Sequence, residues 1–214
     1  MWVRVASACL MVLVLATVLV AAAQAGPRSL PDNLTVPAQN ARYLRAFAAG
    51  VQVYACEART EDPNTFEWTF KAPIAELWND TGEKIGTHYA GPTWEANDGS
   101  TVVGMVVERA NAPEPEAIPW LLLQATSSTD SGILTPVIYV QRLETVGGLA
   151  PMDGCDRSTV GAERDVTYMA TYLFYVARTD VALDRTDRVE AMGGVPSRQT
   201  VLAASELAAP VEAR

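Results

Sequence analysis

The feature that most constrains the fold is an alternation of side chains with period two that returns along most of the chain. In Thr65-Phe66-Glu67-Trp68-Thr69-Phe70 every second residue is aromatic. An extended strand would carry Phe66, Trp68 and Phe70 on one face. Val51, Val53 and Ala55 alternate with Gln52, Tyr54 and Cys56 in the same way. Turn-forming residues stand between such segments. Asn79-Asp80-Thr81-Gly82 separates Ile74–Trp78 from Lys84–Tyr89, and Asn97-Asp98-Gly99-Ser100 separates Thr93–Ala96 from Thr101–Glu108. Asp and Gly there can take the positive φ angles that tight hairpins demand. Pro119–Ala125 and Ile133–Leu143 read as apolar strands. Val166–Val176 reads as the strongest strand, with Tyr168, Tyr172 and Phe174 on one face. The acidic, Pro-rich 111–117 and the stretch from Gly147-Gly148 through 151–161 read as loops. No long 3.6-residue pattern interrupts the series. The expected fold is all-β: a single antiparallel β-sandwich or barrel with long loops.

The front of the chain has a different character. Behind Arg4, residues 5–23 carry no charge, and Ala23-Gln24-Ala25 fits a small-x-small cleavage site. Residues 1–25 are therefore expected to be a secretory signal peptide cleaved near Ala25, with an uncleaved membrane anchor as the rival reading. Cleavage would leave a secreted or periplasmic protein with no membrane span. It would also leave 189 of the 214 residues, a net charge of −10 instead of −9, and two of the three cysteines. Cys56 and Cys155 in an oxidising compartment are expected to form a disulfide; the alternative is two separate buried thiols. Such a bridge closes a loop of about 100 residues, on the order of 4–5 kcal/mol in the chain-entropy picture. It would bind the start of the domain to its last third and so argues for one domain. Residues 26–42 read as an extended leader, containing the sequon Asn33-Leu34-Thr35. The all-β domain is expected over 43–178, followed at 179–214 by a low-order tail, disordered or with a short helix near 200–208. Acidic residues outnumber basic ones 25 to 16, with no basic run. That excludes a nucleic-acid partner, whose phosphates need clustered Lys and Arg.

Several sequence blocks in order carry a family resemblance. They are VQVYAC at 51–56, GTHYAGPTWEANDGSTVVG at 86–104, IPWLLLQAT at 118–126, YVQRLETVGGLAP at 139–151, GCD at 154–156 and YMATYLFY at 168–175. Over roughly residues 35–177 the chain resembles the secreted domain of unknown function 3455 of bacteria and fungi. The resemblance implies a secreted, single all-β domain and no agreed activity. Some members carry a malate dehydrogenase label. The present sequence has neither the G-x-G-x-x-G after a strand nor the βαβ alternation that a nicotinamide cofactor site needs. No cofactor is expected.

The candidate site rests on the residues themselves. His88 is the sole histidine, and it stands in the densest polar-aromatic segment, Thr87–Glu95. Histidine suits general-base or ligand-binding work because its pKa lies near neutrality. The plainer alternative is a hydrogen-bonded strand-end residue that orders the Gly91-Pro92 turn. That turn would expose His88, Tyr89 and Trp94 together. Trp and Tyr offer apolar area with a polar tip, suited to a sugar ring or an apolar small molecule; ordinary core filling is the alternative for each. Glu95 adjoins the cluster. Arg142 stands in an apolar strand; facing inward it would need an acidic partner or serve to bind an anion at the mouth of the fold, and facing outward it would be solvated. No metal site is expected, since one His beside carboxylates falls short of a typical ligand set. No acid pair stands out for glycosidase chemistry. No G-x-S-x-G marks a nucleophile. These residues point first to a non-enzymatic binding module for a small molecule or carbohydrate, with His88, Tyr89, Trp94, Glu95 and Arg142 as ligand-binding candidates. The second reading is a hydrolase-like or metal-assisted enzyme using His88 with a carboxylate. The third is a structural envelope protein without a small-molecule site.

Overall fold

The computed structural model of the chain describes residues 29–180. The expected signal peptide and nearly all of the expected tail, including the possible helix near 200–208, lie outside the described residues. Eight strands follow a 3-10 turn at Asp32–Leu34: β1 Asn40–Ala58, β2 Phe66–Trp78, β3 Lys84–Tyr89, β4 Thr93–Ala96, β5 Thr101–Ala110, β6 Trp120–Ser128, β7 Tyr139–Gly147 and β8 Glu163–Ala177. Each pairs antiparallel with the next. β8 returns to pair with β1, which closes a barrel. Of the two all-β architectures expected, the protein adopts the barrel. Closure leaves no strand edge with unpaired N–H and C=O groups.

One phase of every strand faces inward. On β1 the inward set runs through Ala46, Ala48, Gly50, Gln52 and Tyr54. On β8 it is Tyr168, Ala170, Tyr172, Phe174 and Val176. Small residues on β1 face large ones on β8, as in the Ala46–Tyr172 pair, so that bulky rings fill a narrow interior. Gly104 plays a similar part on β5. A Cβ there would stand 3.1 Å from the Trp94 ring and 3.3 Å from Leu123, so the glycine makes room for the indole.

The two ends differ. At one end the short β2–β3 and β4–β5 turns and the β6–β7 connection close over Leu77, Val102, Val140 and Val176. Here the expected strand Ile133–Leu143 is corrected: β7 starts at Tyr139, and residues 133–138 form a loop. Gly132 turns the chain with φ 109°, and Pro136 has no N–H to give a ladder. Leu134 and Val137, 2 % and 4 % exposed, drop into the barrel as a plug. The β4–β5 turn holds this loop. Asp98 Oδ2 accepts the Ile133 N–H at 2.8 Å, and Ser100 Oγ accepts the Leu134 N–H at 3.1 Å.

At the other end the long β1–β2, β5–β6 and β7–β8 loops form a rim. Cys56 and Cys155 are joined in a disulfide there. The Trp68 indole N–H donates to Asp153 O at 2.8 Å, and Cys56 exchanges backbone bonds with Gly161 and Ala162. The β7–β8 loop is thereby held against the end of β1. The segment ahead of β1 lies on the outer wall. Leu34 is fully buried against Trp120 and Leu122. The Gln141 amide donates to Leu34 O at 2.6 Å and accepts from the Tyr175 hydroxyl at 2.6 Å. Strand alternation puts Gln141 outside and Arg142 inside.

Candidate ligand cavity

The rim surrounds the opening of a cavity of about 390 Å³ that runs into the barrel. This lies in the range of small-molecule sites, roughly 300–1,000 Å³. Its wall is mainly apolar: Tyr54, Phe70, Val106, Ile118, Leu121 and Leu123 contribute, with Pro92 and Pro119 near the mouth. Phe70 meets Tyr54 edge to face, 5.8 Å between ring centroids.

His88 on β3 and Trp94 on β4 are directly opposite across the ladder and both face in. Their rings stack at 4.6 Å with 11° between planes. Tyr172 closes on both, 5.0 Å from His88 and 5.3 Å from Trp94. His88 is 3 % exposed, so it is a residue of the barrel interior and not of an exposed turn. Its Nδ1 lies 2.8 Å from Thr93 O. A carbonyl only accepts, so Nδ1 carries the proton and the lone pair sits on Nε2. Burial lowers the His88 pKa to about 4 against the pull of that carbonyl, and the nearby charge of Arg142 lowers it further. The ring is neutral at pH 7.

The expectation that His88, Tyr89 and Trp94 are exposed together is corrected by the pleat. Successive side chains point to opposite faces of a strand. Tyr89, 37 % exposed, stands on the outer surface, where its hydroxyl donates to Glu95 Oε2 at 2.8 Å. That bond raises the Tyr89 pKa. His88, Trp94 and Arg142 line the cavity; Tyr89 and Glu95 do not.

Arg142 on β7 faces in, across the ladder from Tyr172 on β8. It is half-buried, and its Nε and Nη2 both donate to Pro119 O, at 3.2 and 2.9 Å. None of the ion pairs among the described residues includes it. The acidic partner expected for an inward Arg142 is therefore absent from this set. Its charge is felt at Tyr54, His88, Tyr168 and Tyr172. Burial nevertheless raises the pKa values of all three tyrosines.

Gln52 Nε2 and Trp94 Nε1 are buried without a hydrogen-bond partner, on side chains that line this wall. The exposures of the two side chains are 2 % and 1 %. The Tyr172 hydroxyl interacts with the Tyr168 hydroxyl and the Arg142 guanidinium. Among the described residues, no three His, Cys, Asp or Glu side chains gather where they could hold a metal ion. Gln52 was visible in the sequence as a polar residue inside an apolar strand. Tyr54, Phe70 and Tyr172 were visible only as aromatics of unknown facing. The phase of each strand, counted from its turn, is the signal that would have brought them together.

Eight strands close around an interior wide enough for packed side chains or one small ligand. Fold and cavity together define a small up-and-down β-barrel with an internal cavity open at one end. The chain belongs to the family described as Protein of unknown function (DUF3455), whose family model matches residues 37–176. Comparison with curated proteins and with solved structures gives no match.

Proposed function

We propose that this protein is a non-enzymatic binding protein that takes one small, largely apolar or aromatic molecule into the open end of its barrel. One observation carries the reading: a cavity of about 390 Å³, open at one end and walled mainly by apolar and aromatic side chains, is also lined by Gln52 and Trp94, whose Nε2 and Nε1 are buried without a hydrogen-bond partner among the described residues. Buried polar groups left unpaired are destabilising by roughly 1–3 kcal/mol each, and a bound molecule that pairs with them offsets this. The apolar wall favours an aromatic ligand over a carbohydrate, which would need many more polar partners. Among the described residues no Asp or Glu lines the cavity, which counts against the enzyme reading of His88 with a carboxylate. No helix among the described residues is long and apolar enough to cross a membrane. The disulfide supports an exported setting.

The test uses N-phenyl-1-naphthylamine, a neutral aromatic probe, titrated against Trp fluorescence and melting temperature. Saturable one-to-one binding is expected, with quenching of Trp94 and a raised melting temperature. Absence of saturable binding by this and other aromatic probes would leave the structural-protein reading standing and refute this one.

A further inference from the structure

The ligand cavity carries a charge pattern that its apolar walls do not require. The chain has a net charge of −9. Yet the charged residues on the cavity wall are Lys71, Arg109 and Arg142, all basic. Lys71 is occupied by an ion pair with Glu57. Arg142 is different. It is half-buried where Arg109 is exposed, stands between Leu121 and Tyr172 in the ladder, and two of its nitrogens share a single carbonyl oxygen, that of Pro119. A guanidinium has five N–H donors in a planar fork. Pro119 O and the Tyr172 hydroxyl are neutral partners, and none of the ion pairs among the described residues compensates the charge.

The unpartnered groups nearby have the same polarity. Trp94 Nε1 and Gln52 Nε2 can only donate. Tyr172 is the direct cross-strand neighbour of Arg142. A half-buried cation on the same cavity wall as two side chains with unmet donors is complementary to a ligand rich in acceptors and negatively charged. Fork geometry favours a group with two or three equivalent oxygens.

Resting on the reading of the cavity as a ligand site, we propose that it selects organic acids: an aromatic or apolar body in the barrel, with a carboxylate or sulfonate against Arg142. Arg142 is then the specificity-determining residue, and Phe70, Val106 and Leu121 on the cavity wall receive the body.

Two probes separate this inference from the broader one. 8-Anilinonaphthalene-1-sulfonate is N-phenyl-1-naphthylamine with a sulfonate added. The wild-type protein is expected to bind the sulfonate at least about tenfold more tightly than the neutral amine, since a charge-assisted pair is worth at least that factor. The preference should shrink as salt is raised. Arg142→Met should lose it while holding the neutral amine within about twofold, and Arg142→Lys, which keeps the charge, should retain part of it. Sodium sulfate at the same concentration should not displace the sulfonate probe, because the aromatic body supplies much of the affinity; full displacement would overturn the organic-acid assignment. Equal affinity of wild type for the two probes, or an undiminished preference in Arg142→Met, overturns the anion inference and leaves the cavity reading intact. Failure of both probes to bind overturns the cavity reading, and this inference with it. If Arg142→Met does not fold, the wild-type preference and its salt dependence decide alone.

Discussion

His88 illustrates how burial redirects a titratable group. Free histidine would gain its proton below about pH 6.5; inside the barrel the ring keeps to the neutral form down to about pH 4. Between those values the unfolded chain binds a proton that the folded protein does not, so stability is lost as pH falls through this window and is flat above it. From pH 7 to pH 5 the effect of this one residue amounts to roughly 2 kcal/mol. Urea unfolding of wild type and His88→Gln at both pH values measures it. The variant should be less stable at pH 7, through loss of the stack on Trp94, and should show a smaller fall toward pH 5. An equal fall in the two proteins would mean that His88 titrates normally. The same burial makes His88 a fixed hydrogen-bonding ring at neutral pH, with its lone pair on Nε2.

At the scale of elements, two bulges shape the cavity mouth. In β2 the register slips opposite Val53 and Tyr54. Lys71 is the extra residue, so Phe70 and Lys71 both reach the rim. In β5 a second slip between Val106 and Glu108 moves Arg109 into register with Leu121, a cavity residue. A bulge re-aims the residues that follow it, and here it adds basic groups at the opening. The opposite end depends on a loop held by two side-chain acceptors. Asp98 accepts bonds from Ser100 and Ile133, which hold its carboxyl pKa below the usual range. Asp98→Ala should free the 129–138 loop. Amide exchange at Ile133 and Leu134 should then rise well above that of the β6 and β7 amides, without a change in far-UV signal. Unchanged exchange at these two amides would show that the Leu134 and Val137 plug holds itself.

At the scale of the molecule, a closed antiparallel barrel is made of hairpins in series plus one closing pair, β1 with β8. That pair joins residues about 120 positions apart in the chain, as in Ala48 with Ala170, so its formation carries the largest loop-closure cost of the sheet. The disulfide acts on the same long-range step, because its partners lie 99 residues apart on β1 and the β7–β8 loop. Restricting so long a loop in the unfolded chain contributes on the order of 4–5 kcal/mol. Replacing both cysteines by serine, or adding reductant, should lower the melting temperature by about 10 °C or more. A shift of under about 2 °C would show that the unfolded chain is already compact. The loss should be felt at the rim, where the bridge and the Trp68–Asp153 bond hold the β7–β8 loop.

Much of this architecture was legible in the chain. Alternation and Asp-Gly turns defined the strands around 51–56, 65–70, 84–110 and 166–176, because a period of two and a positive-φ turn are local properties. Cysteine arithmetic found the bridge, since only one pairing remained once Cys9 was assigned to the expected signal peptide. Ile133–Val137 was misread because an apolar run looks the same in a strand and in a plug; only its position over an open barrel end distinguishes them. Tyr89 and Glu95 were grouped with His88 by nearness in sequence, whereas the pleat sends neighbours to opposite faces. The sequence by itself determined that this protein is built from antiparallel strands around aromatic side chains. Only the tertiary structure decided that the sheet closes, that Arg142 faces inward outside every ion pair among the described residues, and that His88, Trp94 and Tyr172 meet around one cavity. Closure and register are set by contacts between residues far apart in the chain, and those contacts fix which side of each strand is the inside.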